Sequence, residues 1–195
     1  MARTLDKMGK IPNKVLRMKN IKGIKITVTG YTYKVGTNKI KKELDKKQYN
    51  DFCIYIADIL KDTLVDAIYN QRYYNTKWPP LNVAYLKYKK INKLSLNVWE
   101  ATGKLKNSIT IFNKGNYIMI GFKNNDKYRD SGISLNQVAR FVEYGTSSPG
   151  RQGSPPRPLF RPVSVHIRKN ISRYYASYKK ELEKENKKYL YLSDK

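Results

Sequence analysis

Hydrophobic and polar positions divide the chain into stretches of different period. Residues 24–35 (IKITVTGYTYKV) alternate, with Ile24, Ile26 and Val28 facing one way and Thr27, Thr29, Tyr31 and Tyr33 the other. That is the pattern of a half-buried strand, and Gly30 offers a place for a bulge. Over residues 39–72 the spacing changes to three- and four-residue steps. Phe52, Tyr55, Ile56, Ile59, Leu60, Leu64 and Ile68 then form the apolar face of a long helix, for which Asn38 is a suitable N-cap. Pro79-Pro80 ends any helix before Leu81, and a short helix over about 82–90 follows, with Tyr85 and Tyr88 on one side. Ser108–Phe112 and Tyr117–Phe122 are rich in strand formers, and Asn113-Lys114-Gly115-Asn116 between them supplies a hairpin turn.

A polar loop over about 123–134 leads into VARFVEYGTSSPGRQGSPPRPLFRPV, residues 138–163. Here an apolar and aromatic segment with a single acid, Glu143, runs into a Gly/Ser/Pro loop. From Pro158 a long amphipathic helix is predicted to about Lys188, with Val163, Ile167, Ile171, Tyr174, Tyr178 and Leu182 in a heptad-like stripe. Pro158 suits the first helical position, where its missing N–H costs nothing, and Pro162 is still near enough to the start to be tolerated. The fold class expected is α+β: a small antiparallel sheet containing a β-hairpin, packed against two long amphipathic helices. Residues 1–22 read as a basic arm, flexible or ordered by a partner. Residues 23–188 read as a single domain and 189–195 as a C-terminal tail.

Charge adds a class of partner to this outline. The 195 residues carry 40 Lys/Arg against 15 Asp/Glu, a net charge of +25. Both ends are strongly basic, while residues 51–100 are nearly balanced. Such a field suits nucleic acid, an anionic membrane or an acidic protein, although abundant Lys, Asn, Ile and Tyr is also what an A/T-rich genome encodes. The 17 tyrosines serve interfaces as well as cores. The single Cys53 excludes an intrachain disulfide and a cysteine-cluster zinc site, and its apolar surroundings predict a buried thiol. No apolar run approaches the roughly 20 residues of a membrane span, and no signal-peptide core follows Met1. A protein made in the cytoplasm and not bound to membrane is expected.

Catalytic vocabulary is sparse. His166, the single histidine, sits among Arg161, Arg168 and Lys169, with no carboxylate in sequence to orient it as a base. Asp58, Asp62 and Asp66 recur every four residues along one helix edge, but a hard cation needs oxygens converging from several segments. They read as a solvated or subunit-contacting stripe. Gly145-Thr146-Ser147-Ser148-Pro149-Gly150 has the glycine spacing of a phosphate loop without its Lys and Ser/Thr. Basic and aromatic residues interleave at Tyr85–Lys90 and at Arg173-Tyr174-Tyr175, yet the aromatics fall at core or subunit-packing spacing, leaving the lysines for non-specific phosphate contact. Neither a catalytic set, nor a metal site, nor a cofactor site is expected, so the chain does not read as an enzyme. Glu143 lies between apolar residues, where burial demands a partner. Arg157 or Arg161 is the natural one, since a guanidinium meets a carboxylate with two parallel bonds.

The order of short motifs resembles one family. Trp78-Pro79-Pro80-Leu81 follows a long helix, and Ala101-Thr102-Gly103-Lys104-Leu105-Lys106-Asn107-Ser108-Ile109 enters a hairpin. Then come Phe141-Val142-Glu143-Tyr144-Gly145-Thr146 and Arg157-Pro158-Leu159-Phe160-Arg161-Pro162, before a terminal helix. Over about residues 40–185 this resembles the tail-completion and head–tail connector (virion morphogenesis) proteins of tailed bacteriophages. It departs from them in Leu159-Phe160 after the proline and in a longer Pro-rich loop at 147–156. The resemblance implies a structural virion protein of the neck or tail top, assembled in the host cytoplasm. It would form a homo-oligomeric ring between portal or adaptor proteins and the tail. Glu143, Tyr144, Gly145, Arg157, Pro158, Phe160 and Arg161 would serve as structural latch and subunit interface. Lys10, Lys14, Arg17, Lys19 and Lys22 of the arm are candidate contacts to genome DNA or an acidic partner. The alternative is a basic, non-specific nucleic-acid-binding protein associated with DNA packaging.

Overall fold

The computed structural model describes residues 21–28, 31–35, 37, 40–73, 76–100, 103–122, 127, 132–146 and 153–193. In chain order it builds β1 (Gly23–Val28), β2 (Tyr31–Lys34), a 3-10 turn at Ile40–Lys42, α1 (Lys46–Tyr69), β3 (Arg72–Tyr73), β4 (Thr76–Lys77) and α2 (Val83–Ile91). Next come α3 (Lys104–Asn107), β5 (Thr110–Lys114), β6 (Tyr117–Gly121), α4 (Leu135–Tyr144), α5 (Phe160–Lys169) and α6 (Ile171–Ser193).

The α+β class holds, with helices packed on a small sheet. The alternating stretch is two antiparallel strands, β1 and β2, rather than one. The hairpin β5–β6 forms as its turn residues require, with Gly115 at φ +58°. The expectation of an antiparallel sheet fails at one pair: β1 runs parallel to β6, giving a four-stranded mixed sheet of order β2-β1-β6-β5. A parallel pair needs a long crossover, and α1 lies in the crossover between these two strands. The register stacks Ile24 beside Ile118 and Ile26 beside Ile120, with Ile111 opposite Ile120. These isoleucines form the sheet's buried face.

Helix α1 packs against β1, β5 and β6 and also against α5 and α6. Every side chain from Phe52 to Asp58 is buried, as expected of a helix covered on more than one side. The Phe52 ring meets Tyr175 edge-on at 5.6 Å and Tyr178 at 5.4 Å, and the Tyr178 hydroxyl donates to the Gln48 carbonyl at 3.2 Å. Cys53 is fully buried, and burial pushes its thiol up to about 12. The expected start of α1 was early: Asp45 is the N-cap, in a reciprocal box with Gln48, and Asn38 lies outside the described residues. The terminal helix is two helices. Asn170 ends α5 by donating its backbone N–H and its side-chain amide to the His166 carbonyl. Such local side-chain bonding competes with helix propagation. α6 then runs to Ser193, into the stretch read as a tail.

Candidate functional site

Among the described residues, three helices start with a side-chain cap of their own. Asp45 caps α1, Asn82 caps α2 and Ser134 caps α4. α5 begins at Leu159 with none. Its cap comes from another helix. The carboxylate of Glu143, near the end of α4 and only 2 % exposed, accepts the backbone N–H groups of Leu159 (2.7 Å), Phe160 (3.0 Å) and Arg161 (3.0 Å). A helix start leaves four N–H groups without intrahelical partners. Glu143 takes three, and the fourth position is Pro162, which has none. The first intrahelical bond follows at once, from Val163 N–H to the Leu159 carbonyl. The negative charge also faces the positive end of the helix dipole. Burial pushes the Glu143 carboxyl above its ordinary range, while the three amides and nearby Arg161 pull the other way.

The expected carboxylate–guanidinium pair is therefore corrected: Glu143 is held by amides. Arg161 is exposed, and buried Arg157 is used elsewhere. Its Nε donates to the Pro79 carbonyl (2.8 Å) and its Nη2 to the Pro80 carbonyl (2.7 Å), while Nη1 reaches Ser154 Oγ and the Pro155 carbonyl. The return bonds come from two indoles. Trp78 Nε1 donates to the Pro158 carbonyl at 3.0 Å and Trp99 Nε1 to the Arg157 carbonyl at 3.2 Å. Ring contacts then run Trp78–Trp99 (6.4 Å), Trp99–Phe160 (5.7 Å) and Phe160–Phe122 (5.8 Å). Motif segments up to 80 residues apart thus meet in one buried joint. Gly145 sits at φ +75°, where a Cβ would lie 2.5 Å from the Ser154 carbonyl oxygen, so only glycine fits. Thr146 N–H donates to that same oxygen and Ser154 N–H to Thr146 Oγ1, which fixes both ends of the Pro-rich loop. Gly103, at φ +75°, turns the chain into α3.

Beside the joint stands α2, whose one buried side chain is Lys89. Its ammonium donates to the carbonyls of Asn97 (2.7 Å) and Glu100 (3.1 Å). Burial pulls its pKa down to about 8, against the attraction of Glu100. This tether was not read from the sequence, where Lys89 stands between Lys87 and Lys90 with nothing to set it apart. Tyr85 and Tyr88 do share a side, stacked at 6.0 Å, but they are exposed, as are Val83, Ile91 and Leu96. Between α2, Pro80, Trp99, Val142 and Arg157 opens a cleft of about 920 Å³.

Other candidate residues divide. Tyr144 is exposed at the end of α4, and Lys22 is exposed ahead of β1. Lys10, Lys14, Arg17 and Lys19 lie outside the described residues. Asp62 and Asp66 line a polar cleft of about 450 Å³ with His166, Arg173 and Tyr174, so the acidic stripe and the histidine share a groove that spacing did not foretell. Asp58 is buried. The His166 ring contacts the Asn170 amide (3.2 Å) and the Tyr174 hydroxyl (3.4 Å), and burial with the Arg173 charge lowers its pKa. Among the described residues no three His, Cys, Asp or Glu side chains stand close enough to hold a metal ion, and no helix is long and apolar enough to cross a membrane.

Compared with known proteins, the chain matches no family model, no curated protein and no solved structure.

Proposed function

We propose that this chain is a structural ring subunit of the head–tail connector or tail-completion layer of a tailed phage. The observation that carries the reading is the convergence of its ordered motifs. Trp78-Pro79-Pro80, Trp99, Glu143-Tyr144-Gly145-Thr146 and Arg157-Pro158-Leu159-Phe160 interlock through backbone carbonyls, amides and tilted ring contacts. The polar groups of Trp78, Trp99, Glu143 and Arg157 hold chain to chain there, which is the work of a rigid joint. The joint fixes two surfaces in place, the ends of the Pro-rich loop and the exposed apolar side of α2. A subunit that meets portal, tail or sister subunits needs such preset surfaces.

Reconstruction of particles containing the protein tests this. Copies in a ring at the neck or tail top are expected. Copies in the capsid shell, or none in finished virions, would overturn it. The rival reading, a basic nucleic-acid-binding protein associated with packaging, draws on the net charge of +25. It predicts no co-sedimentation with portal or tail complexes at moderate salt, whatever the affinity for DNA.

A further inference from the structure

Between Asp6 and Glu43 the sequence holds no acid, and between Glu100 and Asp126 again none. These windows build the whole four-stranded sheet. With the isoleucines turned to the helices, the register places Lys25, Lys34, Met119 and Phe112 in one row across the other face, and Lys114 beside Tyr117 in the next. Lys34 and Lys114 are exposed, Lys25, Tyr117 and Phe112 are half-buried, and Met119 between them is buried. The Lys25 ammonium lies 3.5 Å from the centre of the Tyr117 ring. Lys25 and Lys34 are direct cross-strand partners, a like-charge pairing that destabilises a sheet and that no acid on the four strands relieves. Elsewhere such compensation exists, as where Lys106 bonds Glu100 at 2.5 Å.

We infer that this outer sheet face binds the phosphate backbone of nucleic acid, with Lys25, Lys34 and Lys114 on phosphates and the aromatic pair Tyr117 and Phe112 beside them. From β2 to β5 the lysines span three inter-strand steps, about 14 Å. Duplex DNA carries one phosphate charge per roughly 1.7 Å of axis, so the face meets several phosphates together. An anion seated there meets both charges of the Lys25–Lys34 pair. The contact reads no sequence, because ammonium groups on phosphates position without specifying. This inference stands whether or not the chain belongs to a neck.

The test is fluorescence anisotropy with a labelled DNA duplex and the full chain across a salt series. K25Q/K34Q/K114Q should lower affinity at least about tenfold at low salt and reduce the slope of log affinity against log salt by about 2–3. K169Q/K180Q/K184Q removes equal charge from exposed positions on α5 and α6 and should lower affinity less than about threefold. K25R/K34R/K114R should bind as the parent does. Equal losses in the two glutamine variants would show that DNA senses only net charge and would overturn the site. An unchanged sheet variant, or a folded arginine variant that fails to bind, would overturn it as well. Retained DNA binding with lost binding to polyglutamate would assign the face to an acidic protein instead.

Discussion

Helices α1 and α2 both carry large apolar side chains at helical spacing, and their surroundings are opposite. From Phe52 to Asp58 α1 has no exposed side chain, and its rings interlock with those of α6. α2 presents Ile91 at 80 % and Tyr88 at 46 % exposure and buries only a lysine. The difference teaches what each helix is for. α1 is held by the transfer of apolar surface out of water, roughly 1.5–3 kcal/mol per large side chain. α2 is held by an N-cap, by the loop after it and by one ammonium on two carbonyls, which leaves its apolar side uncovered.

Substitutions break this contrast in graded ways. Leu60→Ala, at the fully buried centre of α1, should cost about 3–4 kcal/mol in chemical denaturation; a cost below about 1 kcal/mol would mean that α1 is not the core. Glu143→Gln exchanges the cap's charge for an amide and sets N–H groups against N–H groups. It should cost about 2–3 kcal/mol and raise hydrogen exchange in the first turn of α5, whereas a variant that melts and assembles like the parent would remove the latch. Lys89 gives a signed pH effect. Its folded-state pKa is lowered from 10.5 to about 8, so between those values the unfolded chain binds more protons than the native one. Stability attributable to this group therefore rises as pH climbs from about 8 to 10.5, by about 2 kcal/mol once solvent screening trims the roughly 3 kcal/mol of the full shift. Lys89→Met should flatten that rise relative to the parent; an identical pH profile would sink the tether's titration. Smallest in stability are Tyr88→Ser and Ile91→Ser, expected within about 0.5 kcal/mol while weakening self-association or ring incorporation at least tenfold by sedimentation. A loss above about 2 kcal/mol in the monomer would return α2 to the core.

Much of the architecture was legible because local period suffices for it. The strand character of 24–35, though not its fold into two paired strands, the hairpin around Gly115, the apolar face of α1 and the buried Cys53 all follow from neighbours in sequence. What escaped depends on distance. The β1–β6 pairing is invisible to local pattern, and the same is true of the amide partners of Glu143. A lone acid among apolar residues suggested an arginine, yet α5 starts at Leu159-Phe160 with no Ser, Thr, Asp or Asn to cap it. An uncapped helix start downstream of a stranded carboxylate was the readable sign. Lys89 escaped for a related reason: a lysine in a run of lysines looks solvated until the carbonyls that face it are known. Arg157 was singled out correctly as part of the joint and given the wrong partner, since prolyl carbonyls leave no trace in side-chain chemistry.

The parallel pair also orders events in time. Gly23 pairs with Tyr117, so everything from α1 to β5 must be synthesised before β1 finds its inner neighbour. The two hairpins close locally and fast, while their union waits on a long-range search, the slow step in sheets of non-local topology. A ribosome paused before Gly121 exposes a nascent β1 with one edge unfilled, a template for pairing with any other chain. The positive charges along that hairpin would repel a second nascent copy of itself, keeping the half-made sheet solitary until its own β6 arrives.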